Sequence, residues 1–225
     1  MSFTPGATGH LHAASSRRPG RWVAAAVGAA LMGLVSGAQA QLSSLASAKV
    51  FSLGLAATAT QWQVDCIGST ACDRQDSGWR LTGAWQFAPQ GALELVAAEQ
   101  GRIRAEALGS TGLKTSDLRV RGAGVNVAWL MPLDADWLFT ARVGALANRV
   151  RFIENAGVGA TDESTSRTRT DPAVGLGLSW RLSPNLSLDG RYDWTSTRLA
   201  PPSASLLGGG SAGSHQWGLG LTGYF

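Results

Sequence analysis

The sequence predicts an all-β fold, an eight-stranded antiparallel up-and-down transmembrane β-barrel, and three observations carry that prediction. Apolar residues alternate with small or polar ones through segment after segment, and no long apolar run follows residue 40. Short connections alternate with long ones without exception, which is the pattern of a meander with tight turns at one end and loops at the other. The chain ends on the strand-like stretch His215 to Phe225 (HQWGLGLTGYF), with Trp217, Leu219, Leu221 and Phe225 on one face and Gly218, Gly220, Thr222 and Tyr224 on the other. Hydrocarbon holds no water to satisfy an open sheet edge, so strands with apolar outer faces are expected to close into a ring.

Residues 1–40 read as a cleavable signal peptide. Arg17, Arg18 and Arg21 precede an apolar run from Trp22 to Val35, and Ala38-Gln39-Ala40 offers a small-x-small cleavage site before Gln41. At about fourteen residues the run is short of the roughly 20 that a spanning helix needs. Pro19-Gly20-Arg21 follows the Arg17-Arg18 pair where a twin-arginine signal would turn apolar, so the general secretory route is expected, and it delivers the unfolded chain that a barrel requires. Without the three arginines of residues 1–40, sixteen basic residues face fifteen acidic ones, so the formal charge of +4 belongs largely to the leader. No basic patch suited to nucleic acid is visible, and a monomer without nucleic-acid partners is expected. Residues 41–47 (QLSSLAS) form a short lead, and residues 48–225 the barrel.

Taken in order, the first strand sends Phe51, Leu53, Leu55 and Ala57 outward and Val50, Ser52, Gly54 and Thr58 inward. A polar segment from Gln61 to Ser77 follows. The second strand, Gly78 to Phe87, sets Trp79, Leu81, Trp85 and Phe87 against Arg80, Thr82, Ala84 and Gln86, and Ala88-Pro89-Gln90-Gly91 turns the chain. The third, from Ala92 to about Ala105, turns Leu93, Leu95 and Ala97 outward and Glu94 inward, ahead of a polar loop from Gly109 to Ser116.

The fourth strand, Asp117 to Met131, breaks phase. Leu118 and Val120 share one parity while Val125, Val127 and Trp129 share the other, which predicts a bulge at Gly122 to Gly124. After the turn at Pro132 to Asp136, the fifth strand runs from Trp137 to Phe152, with Phe139, Ala141, Val143 and Ala145 opposing Thr140, Arg142 and Gly144. Asn155 to Thr170 reads as the longest loop. The sixth strand sets Val174, Leu176, Leu178, Trp180 and Leu182 against Ala173, Gly175, Gly177, Ser179 and Arg181. Beyond the turn Ser183-Pro184-Asn185, the seventh sets Leu186, Leu188, Tyr192 and Trp194 against Ser187, Asp189, Arg191, Asp193 and Thr195. A loop from Pro201 to Ser214 leads into the closing strand.

Cys66 and Cys72 stand in VDCIGSTACD within the first long loop, and in an exported chain with two cysteines they predict a disulfide worth ~2 kcal/mol. No metal or other cofactor is expected: no histidine lies near the cysteines, and His10 and His12 leave with the leader. Arg80, Glu94, Arg142, Arg181, Asp189, Arg191 and Asp193 fall on inward positions. An eight-stranded barrel is narrow enough for side chains to fill, so these charges predict a paired polar core, with a gated polar path as the alternative. Trp79, Trp85, Trp129, Trp137, Trp180, Trp194 and Trp217 fall on outward positions or near strand ends, as interfacial girdles require; packing in a soluble sandwich is the other use for them. Ser214-His215 is the Ser/His neighbour pair left for nucleophilic chemistry, but adjacent strand residues point to opposite faces, and His215 is expected to be solvated.

The stretch DCIGSTACDRQDSGWRLTGAWQFAPQGALELVAAEQG resembles the eight-stranded OmpA-like outer-membrane barrel domain. There a Cys-bracketed first loop runs into a D-S/T-G strand start, matched here by Asp76-Ser77-Gly78. Gln86-Phe87-Ala88-Pro89, the stretch Trp129 to Leu133 (WLMPL) and the terminal Tyr224-Phe225 are similar too. The resemblance covers most of residues 48–225 and includes no peptidoglycan-binding domain. It implies residence in the outer membrane, with outer-membrane lipids and lipopolysaccharide as neighbours. It also implies insertion by the barrel assembly machinery, whose recognition signal would be Trp217, Leu219, Leu221 and Phe225. The function expected is structural or surface-interactive, in envelope integrity or adhesion, without catalysis. The alternatives are a narrow porin-like channel and an outer-membrane lipid-modifying enzyme.

Overall fold

Alternation builds the sheet, and sheet closure follows from its unpaired edges. The computed structural model describes residues 50–109, 112–155, 163–199 and 206–225; the signal peptide expected in 1–40 and the lead in 41–47 lie outside the described residues. The strands are β1 (Phe51–Gln63), β2 (Ala71–Asp73), β3 (Gln75–Ala88), β4 (Gly91–Gly109), β5 (Gly112–Pro132), β6 (Trp137–Asn155), β7 (Glu163–Ser183), β8 (Leu186–Leu199) and β9 (Gly210–Tyr224). Every consecutive pair from β3 to β9 is antiparallel, and β1 joins β3 on one side and β9 on the other. Eight long strands thus form a closed ring, and the short β2 continues the line of β3 against β4.

Strand phases in the lower part of the ring, near the short turns, follow the alternation. Phe51, Leu53 and Leu55 of β1, Val125, Val127 and Trp129 of β5, and Trp217, Leu219 and Leu221 of β9 are exposed on the outside. Seven outward tryptophans form rims, among them Trp137 stacked on Trp180 with centroids 6.0 Å apart. Among the described tryptophans Trp62 is the exception: it points inward at 2% exposure.

The upper part differs from expectation. No phase break occurs in β5, whose even-numbered residues face inward from Ser116 to Ala128 in unbroken register with β6. The bulge sits instead in the partner strand, where β4 shifts register between Glu99 and Arg102 and Gly101 adopts a φ of +88°. Leu118 and Val120 are apolar and inward because the barrel interior changes character there. With Trp62, Ile103, Val150 and Phe152 they form a buried apolar cluster inside the upper ring.

The expected loops are also shorter than their composition suggested. β7 begins at Glu163, so Glu163 to Thr170, expected as loop, pairs with β6 in a register that runs from Trp137↔Trp180 to Glu154↔Glu163. Threonines 165, 168 and 170 suit a pleated strand. Likewise β4 and β5 pair up to Gly109↔Gly112 through the expected loop from Gly109 to Ser116. Strand also occupies parts of the Gln61 to Ser77 and Pro201 to Ser214 segments, through β1, β2, β3 and β9.

Candidate functional site

The lumen is the natural place to look for transport or chemistry, and side chains fill it in layers. Lowest, the Ser187 hydroxyl donates to Asp189 at 2.9 Å and meets the Tyr224 hydroxyl at 3.2 Å. Next, Arg142 Nε reaches both oxygens of Glu94, at 2.9 and 3.1 Å, and Asn126 donates to the same carboxylate at 3.4 Å. Beside this pair Asp193 serves two arginines, Arg191 at 2.9 Å and Arg80 at 3.6 Å, while Arg191 also donates to Thr82 at 3.2 Å. Six of the seven charges expected inside are therefore brought into the lumen with partners. Arg181 has the inward parity but lies exposed at the short-turn end of β7, outside the ion-paired layer.

Amides continue the stack upward. Gln216 donates to Thr60 at 3.2 Å, and Asn148 accepts from Gln100 at 2.9 Å while donating to Asp171 at 2.9 Å and Thr197 at 3.2 Å. The apolar cluster around Trp62 and Phe152 closes the column. Over it lies the first long loop, tied to the segment before β9: Ile67 donates to the Leu206 carbonyl at 2.9 Å, and Gly208 to that of Asp65 at 2.7 Å. Cys66 and Cys72 are joined in a disulfide within this cap, and Cys66 packs on the cluster.

Ser214 and His215 are not brought together. Ser214 points inward at 1% exposure, while His215 is half-buried on the outer wall, where its Nδ1 is 2.6 Å from the Tyr192 hydroxyl; it is bonded rather than simply solvated. No cluster of metal-ligating side chains occurs among the described residues. Trp217, Leu219 and Leu221 are exposed on the outer face of β9, and the exposed Phe225 follows the strand, its amide donating to the Phe51 carbonyl at 2.9 Å.

One group escaped the sequence reading. Arg102, Arg119, Arg121, Arg149 and Arg151 lie side by side on the outer wall of β4, β5 and β6. Alternation spaces them two apart within each strand, so no basic run is visible. Strand pairing assembles the patch, and the inverted hydrophobic phase above residue 121 was its one available signal.

A ring of strands with apolar outer faces and a filled polar lumen defines an integral membrane β-barrel of the outer-membrane class. The chain belongs to the outer membrane protein beta-barrel domain family, whose model matches residues 27–225. Among solved structures it is similar to Neisserial surface protein A, with a TM-score of 0.52 at 14% identity over 78% of this chain and 97% of that one. It is also similar to Ail, the attachment invasion locus protein of Yersinia pestis, with a TM-score of 0.48 at 16% identity over 78% and 97%. OprG from Pseudomonas aeruginosa gives 0.47 at 17% identity over 78% and 95%. No curated protein matches the chain.

Proposed function

We propose that this outer-membrane barrel acts as a closed scaffold, serving the envelope and the cell surface through its outer wall and upper hairpins rather than as a conduit. The observation that carries this reading is the sealed column of the lumen. A charge-paired layer, an amide layer and an apolar layer lie in series, and the last contains side chains with no exposure, such as Ile103, Leu118 and Val120. An ion passing through would have to separate the Glu94–Arg142 pair and then cross the apolar layer without hydration. Each is a step of several kcal/mol.

The test is conductance of the refolded chain in planar bilayers at several salt concentrations. Electrically silent insertion is expected. Steady openings that change when Arg142→Gln or Glu94→Gln is introduced would establish a channel and overturn the closed-scaffold reading.

A further inference from the structure

The outer wall carries a charge arrangement that the barrel balances only in part. β5 and β6 set Arg119 directly opposite Arg151 and Arg121 opposite Arg149, and β4 sets Arg102 opposite Arg119. Side chains so placed start about 5 Å apart, and like charges there repel. Two acids on this wall are already engaged, Glu99 with Arg121 at 3.4 Å and Asp117 with Arg104 at 3.5 Å. On the far side β7 offers only Ser166 and Thr168 opposite Arg151 and Arg149.

The height of the patch points to what covers it. Outward residues of β5 below it are Met131, Trp129, Val127, Val125 and Ala123, and a membrane strand spans with about 9–11 residues. Arg121, the next outward residue, therefore stands where hydrocarbon gives way to headgroups. Directly beneath the block, Ala97, Ala123 and Ala147 are paired in one row. On β8 and β9 the outer wall is aromatic instead, with the Trp217 and Tyr192 ring centroids 4.4 Å apart. A guanidinium binds phosphate through two parallel hydrogen bonds, which makes clustered arginines suited to clustered phosphates.

We propose that Arg102, Arg119, Arg121, Arg149 and Arg151 form a binding site for lipids of the surrounding outer leaflet whose headgroups carry more than one phosphate. This deepens the scaffold reading, on which it rests, by naming the membrane partner of the outer wall. The phosphates offset the arginine repulsion, and the alanine row below leaves room for the acyl chains of the same lipid.

The test uses the full chain in phosphatidylcholine nanodiscs with and without diphosphoryl lipid A, with retained lipids counted by native mass spectrometry. The folded chain should retain lipid A in preference to phosphatidylcholine. Combining Arg119→Gln, Arg121→Gln, Arg149→Gln and Arg151→Gln should cut that retention at least about tenfold, the loss that a single charge-assisted contact would bring. Arg198→Gln, on β8, should leave it unchanged. The double variant Arg121→Gln with Arg149→Gln gives the same reading, more weakly, if the quadruple variant does not fold. Equal retention by wild type and double variant overturns the proposal. So does displacement of lipid A by soluble inositol hexakisphosphate at matched concentration, which would make the block a site for free polyanions. A conducting barrel that still retains lipid A through these arginines would sink only the closed-scaffold reading, and a silent barrel without such retention would sink only this one.

Discussion

Asp193 is the residue on which the lumen turns. It is the carboxylate shared by two arginines, one 2.9 Å away and the other, Arg80, at 3.6 Å and almost wholly buried. Glycines on neighbouring strands make the space for this layer. A Cβ added at Gly175 would run into the Asp193 carboxylate, at Gly177 into the Arg142 guanidinium, and at Gly218 into the Arg191 stem. The inward glycines of β7 and β9 are thus the volume in which charged side chains lie. Asp193→Asn leaves two buried guanidiniums without their anion, so unfolding in urea, followed by tryptophan fluorescence in lipid vesicles, should show a loss of about 3–5 kcal/mol. Asp189→Asn keeps an acceptor for Ser187 but removes its charge, in a less buried place, and should cost about 1 kcal/mol. Equal losses from the two would contradict the shared-carboxylate account.

Among the elements, the upper β6–β7 hairpin tests the structure most directly. Paired strand backbone does not enter a protease cleft, whereas a loop does. Arg167 and Arg169 are exposed yet lie within β7, opposite Val150 and Asn148. Trypsin added to the membrane-inserted protein should leave the bonds after both residues intact; rapid cleavage there would restore the loop that composition suggested. That segment misled because a strand is recognised by one apolar face, and above Asp171 the apolar face of β7 disappears. β5 misled for a related reason. Its apolar residues move from the outer face, at Val125 and Val127, to the inner face, at Leu118 and Val120, while the strand itself stays in phase. A change of surroundings imitated a change of register. Below that level lipid is outside and charge inside, so alternation follows the strand phases and places six of the seven expected charges in the lumen, while Arg181 lies exposed at the short-turn end. The bulge was unreadable because Gly101 is fixed by a partner in another strand: the Arg102 amide donates to Asp76 at 2.7 Å, and a Cβ on Gly101 would come within 2.8 Å of the Asp76 Cβ.

At the scale of the whole molecule, two cores of opposite polarity are stacked in one ring. The lower is held by lipid outside and ion pairs inside, the upper by an apolar interior with charged residues facing outward, as in a soluble barrel. The strands are continuous through both, since β5 and β7 are each 21 residues long where about 9–11 would span the membrane. Yet the side chains that stabilise each storey are separate: Phe152 and Leu118 belong to the upper cluster and have no place in the Glu94–Arg142 or Asp193 layers. Phe152→Ala should therefore cost about 3–5 kcal/mol locally, from the lost burial and the cavity left behind. In amide hydrogen exchange that loss should appear as faster exchange in the upper halves of β4 to β7, with the amides from Ala123 to Met131 unchanged. The barrel should also remain electrically silent, because the ion-paired layers beneath are untouched. Loss of protection throughout the ring would mean that the membrane storey depends on the upper one, and that the two cores fold as a single unit.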